Sequence, residues 1–280
     1  MTADDIAARA RQRDLVRRGY DTISEAYRSD DGQAASSSAE DVSRYAGWVA
    51  ELAGLLPAGA RVLDLGCGAG IPATSELTAR GLQVIGVDFA AVQLRRARRL
   101  VPAASLVQAD MTALALRPAS VDAVVSFYAL IHVPLADQRA LFPRIRGWLR
   151  PGGYLLAIVG AQRWTGTERY LGADMFWEHA DTASYLRWFQ AAGLAPVWSR
   201  FIPESDSGHA LILARASFPG QVDLDNIALT ALPIAHDVLR PHFEAALNRR
   251  TRPAGCPSGW AGPGRWSRAA DDHHASACYR

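Results

Sequence analysis

From residue 61 to residue 159 the chain alternates short apolar runs with stretches whose apolar positions recur at helical spacing. The runs at 61–65, 83–87, 105–108, 122–127 and 154–159 read as strands, and most are too uniformly apolar to be exposed on one face. Between them the pattern predicts helices over 72–80, 90–101 and 135–149. Pro72 stands near the start of the first and Gly81 just past its end, as helix boundaries favour. Strands alternating with helices predict a parallel sheet covered on both faces. The expected fold is therefore α/β: a doubly wound, Rossmann-like sheet of seven mostly parallel strands.

The flanks follow other patterns. Ile6, Leu15, Val16, Tyr20, Ile23 and Tyr27 predict an amphipathic helix over 3–28, with a second helix over 43–56 after a polar loop at 29–40. Residues 160–180 break the alternation and carry Trp164, Tyr170, Phe176, Trp177 and His179. A helix over 181–192 ends at Gly193. Strands at 196–201 and 209–215 flank a turn-rich segment, Pro203 to Gly208, and read as an antiparallel hairpin at the sheet edge. One or two further helices are expected over 222–248. Residues 251–280 have no apolar period and many breakers, so an irregular tail is expected there. Three regions follow: helices that act as a lid over 1–56, a core over 57–217 with its insert at 160–180, and an extension over 218–280.

Composition narrows the function. The chain has 280 residues, is 49% hydrophobic, 21% charged, and carries a formal net charge of +2. All 30 basic residues are arginine. So small an excess makes no broad electrostatic case for nucleic acid. The run Arg95, Arg96, Arg98 and Arg99 reads as a solvated helix face. Three scattered cysteines argue against a disulfide framework and for a reducing, cytoplasmic setting. The N-terminus lacks the apolar core of a signal peptide, and no run is long enough to span a bilayer.

Chemistry concentrates at the carboxyl ends of the predicted strands, where open parallel sheets bind ligands. The first strand runs into Asp64-Leu65-Gly66-Cys67-Gly68-Ala69-Gly70. Asp88 ends the second, Asp110-Met111 follows the third, and Ser126-Phe127-Tyr128 end the fourth. A glycine turn with an acid about 20 residues on also fits a dinucleotide site. That pattern needs Gly-x-Gly-x-x-Gly, whereas here the third glycine comes one residue early. Asp64 beside the turn would repel a pyrophosphate and favour a cationic ligand. Cys67 has no base arranged to activate it and reads as a small filler.

The succession VLDLGCGAG, GVD, QADM, SFYALIHV and LRPGG resembles the class I S-adenosylmethionine-dependent methyltransferases of the small-molecule type, over roughly residues 12 to 216. The resemblance implies S-adenosylmethionine as cofactor and S-adenosylhomocysteine as product. It implies that Asp64 and the backbone of Gly66, Cys67, Gly68 and Gly70 hold the methionine moiety, and that Asp88 accepts from both ribose hydroxyls. Asp110 would accept from the adenine amino group, with Phe89 and Met111 flanking the ring. Gln93, Ser126 and Phe127 complete the implied cofactor set, and Tyr20 and Tyr27 would belong to a lid. One departure is Ala90, where the family often has a serine; its loss weakens a cap on the following helix.

Methyl transfer to an O, N, S or C atom needs the acceptor held in line, and a protic acceptor needs a base. His132 is the leading candidate base, with packing near the cofactor as the alternative; His179 is second. Tyr128, Trp164, Phe176 and Trp177 are candidate walls of an acceptor pocket, or equally core cover. No residue pattern calls for a metal; Cys256, His273, His274 and Cys278 lack zinc-site spacing. The strand end Ser126-Phe127-Tyr128-Ala129 lacks the Asn/Asp-Pro-Pro-aromatic sequence that flipped-base methylation uses in this family. The reading is a small-molecule methyltransferase of specialised metabolism, with no nucleic-acid or membrane partner and a possible homodimer. The alternatives are a cyclase or rearrangement catalyst that keeps the cofactor, and a non-catalytic cofactor binder.

Overall fold

The computed structural model describes residues 2–30, 39–204 and 207–218, with no side-chain account for 39–42 and 207. Residues 31–38 of the expected polar loop, 205–206 of the hairpin turn, the helices expected over 222–248 and the 251–280 tail with its cysteines and histidines lie outside the described residues. Among the described residues, no helix is long and apolar enough to cross a membrane.

Five strands form the parallel part of the sheet: β1 (Arg61–Leu65), β2 (Gln83–Asp88), β3 (Ser105–Gln108), β4 (Val121–Ser126) and β5 (Leu149–Gly160). Two more, β8 (Leu194–Glu204) and β9 (Ser207–Ala216), complete the order β3-β2-β1-β4-β5-β9-β8. β9 runs antiparallel to both β5 and β8. The strand order reverses between β1 and β4, which places the ligand crevice beyond their carboxyl ends.

Side chains alternate across each strand, so each strand feeds two cores. Leu63, Leu65, Val124 and Leu155 pack with Phe142, Ile145 and Trp148 of α5 (Leu135–Trp148) and with Tyr185 and Phe189 of α6 (Thr182–Ala191). Val62, Val84, Val125 and Ile158 pack on the opposite face with Val49 and Leu52 of α2 (Ala39–Ala53) and Leu77 of α3 (Ala73–Ala79). Asp64 falls on this second face, between Leu63 and Leu65, so its position in the strand buries its carboxyl.

The irregular stretch at 160–180 forms a separate antiparallel pair, β6 (Trp164–Tyr170) and β7 (Ala173–His179). Its polar outer residues hid the strand pattern. β7 is tied down by its own polar groups: the Glu178 carboxylate accepts from the Leu135 N–H at 2.7 Å, and the Glu178 carbonyl from the Gln138 amide at 2.6 Å. Tyr185 donates to Gln138 at 2.6 Å.

Helix α1 (Ala3–Tyr27) begins with a Thr2–Asp5 capping box and lies on β7, where Val16 and Ile23 meet Met175 and Phe176. Gly19 permits this approach, since a Cβ there would lie 2.1 Å from the Met175 sulfur. Along its far half α1 is bound to α4 (Ala91–Leu100). Ala90 offers α4 no side-chain cap, and Asp21 of α1 supplies one by accepting from the Val92 N–H at 2.9 Å. The weakened cap expected at Ala90 is thus made good from another helix.

The arginine run needs one correction. Arg95, Arg98 and Arg99 are exposed, but Arg96 is buried. Its guanidinium donates to the Ser24 carbonyl at 2.5 Å and the Arg28 carbonyl at 2.6 Å, and pairs with Asp30 at 2.9 Å. It adds a charged donor to the Ser24 carbonyl, which also accepts the Arg28 N–H, and supplies one to the Arg28 carbonyl just past the helix end. Arg96→Ala is expected to cost about 2–3 kcal/mol in urea unfolding, because it removes charged hydrogen bonds to buried groups and the pairing with Asp30. Arg95→Ala is expected to stay within about 0.5 kcal/mol of wild type.

Candidate functional site

The site grows from the glycine turn after β1. The Gly66 and Cys67 N–H groups both donate to the Val87 carbonyl, at 2.8 and 3.1 Å, which latches the turn to the end of β2. Gly66 has φ +78°, and a Cβ there would sit 2.2 Å from the Ala129 Cβ. Backbone conformation and space both require glycine at that position. Gly70, with φ +81°, packs a would-be Cβ against Val101, so its part is closing the turn on α4.

A cleft opens over this turn. Of the sequence candidates, Tyr27, Asp64, Gly66, Cys67, Gly68, Gln93 and Phe127 line it; Arg28, Tyr45, Ile71 and Pro72 also line it and were not foreseen. Asp88 reaches the turn from β2. Its two oxygens accept from the Gly68 N–H at 2.9 Å and the Ala90 N–H at 2.8 Å.

Asp64 is 1% exposed. Its one described side-chain donor is Thr74, at 2.6 Å. Burial pushes its carboxyl up to about 7, against the opposing effect of Thr74 and with Asp88 adding to the rise. Burial likewise pushes Asp88 up to about 6, although backbone N–H groups oppose it. Two acids that resist ionisation beside an open cleft suit a ligand that brings positive charge and hydroxyl donors. The Cys67 thiol is pushed well up by burial and by the two acids, which agrees with a filler.

Other candidates stand elsewhere. Asp110 turns one oxygen onto the Thr112 N–H and hydroxyl, at 2.8 and 2.7 Å, and pairs the other with Arg13 of α1 at 3.0 Å. Arg13 also reaches Asp137, 2.5 Å away. Met111 flanks Gly66, while Phe89 packs against the α1–β7 cluster. Ser126 requires a correction: it is fully buried and donates to the Leu65 carbonyl at 3.0 Å, so its hydroxyl braces the sheet and does not face the cleft.

His132 lies in a single tight helical turn, Leu130–His132, after β4. Its Nδ1 is 2.7 Å from the Phe176 carbonyl, which can only accept, so Nδ1 carries the hydrogen. Nε2 then accepts from the Tyr20 hydroxyl at 2.9 Å. Burial pushes His132 down to about 4 and Tyr20 well above its usual value. His179 hydrogen-bonds the Gln162 carbonyl at 2.6 Å, and burial lowers it too. Phe176 is buried under α1, and Trp177 packs on His132 and Tyr170. Trp164 is 47% exposed at the open end of its hairpin. Tyr128 directs its hydroxyl to Glu204, 2.5 Å away.

Comparison with known proteins gives the class. A family profile described as a methyltransferase domain matches residues 62–153, from β1 through the first part of β5. The ubiquinone biosynthesis O-methyltransferase of Bordetella pertussis is 35% identical over 176 residues, covering 55% of this chain and 69% of that protein. The trans-aconitate 2-methyltransferase of Paracidovorax citrulli is 38% identical over 102 residues, 36% of this chain and 38% of that protein. Among solved structures, a Burkholderia thailandensis 1,6-didemethyltoxoflavin-N1-methyltransferase shares the fold, with TM-score 0.56 and 21% identity over 78% of this chain and 91% of that one.

The chain belongs to the class I S-adenosylmethionine-dependent methyltransferases. It is a methyltransferase enzyme, and S-adenosylmethionine is its cofactor. The residues present fit that group: a glycine cradle that a Cβ would fill, and acids whose burial favours a cationic, hydroxyl-bearing ligand.

The acids make stability pH-dependent. Asp64 is raised from 3.8 to about 7 on folding, so its favourable contribution is complete below pH 4 and is lost as pH rises through 7. Ligand-stripped wild type should therefore lose ground to Asp64→Asn between pH 5 and pH 8, by at most about 1.4 kcal/mol per pH unit. Melting temperatures of both proteins across that range check this; a gap that stays constant contradicts the burial of an ionisable Asp64.

Proposed function

We propose that the protein methylates a hydroxyl oxygen of a small-molecule acceptor. One observation carries the reading: α1 and the β6–β7 hairpin together roof the carboxyl ends of the strands, joined through the buried Tyr20–His132–Phe176 chain of hydrogen bonds. A roof over this end of the sheet favours a small acceptor over a folded macromolecule. The O-methyltransferase name of the Bordetella pertussis relative supports oxygen as the acceptor atom.

When bound, the cofactor supplies an electrophilic methyl group on a sulfonium sulfur. In this proposal Asp64 and the Gly66–Gly68 backbone hold the methionine ammonium. Arg28, buried in the cleft with its guanidinium over the Tyr27 and Tyr45 rings, pairs with the methionine carboxylate. Asp88 accepts from the ribose hydroxyls. Asp110 and Met111 serve the adenine, and Arg13 shares or releases Asp110 to allow it. Gln93, whose oxygen accepts from Ser24 at 2.9 Å, fixes the lid against the cleft. His132 is assigned to positioning: both its ring nitrogens are engaged, and its burial disfavours a proton.

Asp88→Ala should weaken S-adenosylhomocysteine binding about 100-fold by calorimetry, through loss of a partly buried acceptor for two hydroxyls. Unchanged affinity would remove Asp88 from the site. The reaction itself is tested by S-adenosylhomocysteine formation with catechol and 3,4-dihydroxybenzoate as probes, beside tRNA and a protein mixture. Turnover confined to the hydroxylated small molecules is expected; turnover confined to the macromolecules contradicts the proposal.

A further inference from the structure

Beside the cofactor cleft, the β8–β9 hairpin brings Glu204 and His209 against Tyr128, which lies about 80 residues earlier in the chain. His209 pairs in register with Gly160, the last residue of β5, so it lies at the carboxyl edge of the parallel sheet. Its Nδ1 is 3.1 Å from one Glu204 oxygen, and the Tyr128 hydroxyl donates to the other at 2.5 Å. Both oxygens of the carboxylate are thus spoken for, and its plane is set. Burial raises Glu204, but the hydrogen bonds from His209 and Tyr128 outweigh it and hold the carboxyl below its usual value.

Three features mark this as a built arrangement. Tyr128 has φ +57°, a conformation that costs a bulky residue energy and here carries the chain so that its hydroxyl meets Glu204. His209 stands at the head of the apolar run Ala210 to Ala214 with a side chain only 15% exposed. Among the described residues its Nε2 has no hydrogen-bond partner. The cluster also abuts the cofactor cleft. Tyr45, which lines the cleft, packs on both Phe127 and Tyr128, with ring centroids 5.4 and 6.3 Å away.

We propose that His209, oriented by Glu204, is the base that takes the proton from the acceptor hydroxyl. This rests on the oxygen-acceptor reading above. A carboxylate on Nδ1 fixes the tautomer, leaves the Nε2 lone pair outward, and stabilises the imidazolium that forms. The acceptor O–H bond breaks, the proton bonds to Nε2, and the bonding electrons stay on oxygen, which becomes the nucleophile. Glu204 remains a carboxylate throughout. The groups facing the dyad are Tyr128 after β4, His179 of β7 with its ring 6.0 Å away, His132 after β4, and Arg44 of α2 near Glu204. His132 cannot do the same work as placed, because Tyr20 already occupies its Nε2.

The test uses the full chain loaded with S-adenosylhomocysteine, with the imidazole nitrogens followed by ¹⁵N NMR. His209 should show hydrogen on Nδ1 and a bare Nε2, and Glu204→Ala should abolish that tautomer; hydrogen on Nε2 in the wild type overturns the proposal. In turnover with the catechol probes, His209→Ala should lower kcat about 100-fold with little change in the acceptor KM, and added imidazole should restore part of the rate. Wild-type turnover with an undiminished kcat in His209→Ala overturns the proposal and leaves the oxygen-acceptor reading standing. Wild-type transfer to macromolecules alone defeats that reading, and this proposal with it.

Discussion

Asp64 and Asp88, carboxylates at the ends of adjacent parallel strands, are kept from full solvation, and the rest of the molecule is arranged around that constraint. Burial raises both, Asp64 to about 7 and Asp88 to about 6. Each carries a cost of ionisation that its protein hydrogen bonds offset only in part. The glycine turn offers backbone N–H groups to Asp88 and open space beside Asp64. A ligand with a positive charge and hydroxyl donors relieves the cost at both. In the proposed reading, the cofactor is the ligand that relieves it.

Helix α1, the lid in the proposed reading, is held in place by polar contacts at each end. Arg9 and Arg13 hold its first half to Asp137 and Asp110. Asp21, Ser24 and the carbonyls of Ser24 and Arg28 hold its second half to α4. Between these anchors, Tyr20 reaches His132 and Gly19 lets β7 approach. Each contact serves two elements, since Asp21 caps α4 and Arg96 caps α1. Asp110 is the point of competition, because Arg13 occupies an oxygen that the proposed adenine contact also needs.

Local patterns carried the sheet, its helices and the glycine turn into view, because a buried parallel strand and a Cβ-poor turn are written in consecutive residues. Asp64, Asp88, Gly66 and Gly68 were legible for the same reason. The β6–β7 pair was not, since Thr165, Glu168 and Arg169 mask its alternation, and its buried residues Ala173, Met175 and Phe176 do not alternate cleanly. Arg96 was misjudged because its exposed neighbours share its helix, while its partners lie about 70 residues away in α1. Ser126 occupies a strand end where a ligand contact was expected, yet the β1 carbonyl next to it claims its hydroxyl. Glu204 and His209 escaped notice because the hairpin register that brings them to Tyr128 is not a local property. The sequence signal for them was a single histidine inside an apolar strand, next to a turn bearing a glutamate.

The central claim is that the cleft discharges the strain of its buried acids when the cofactor binds, and proton linkage tests it most directly. Burial raises the ligand-free Asp64 to about 7, and an ammonium group placed beside it must lower its proton affinity. Calorimetric titration of the full chain with S-adenosylhomocysteine at pH 7, in buffers of different ionisation enthalpy, measures the proton exchange. The account predicts net proton release on binding, abolished in Asp64→Asn. Proton uptake, or binding with no exchange at all, would contradict it.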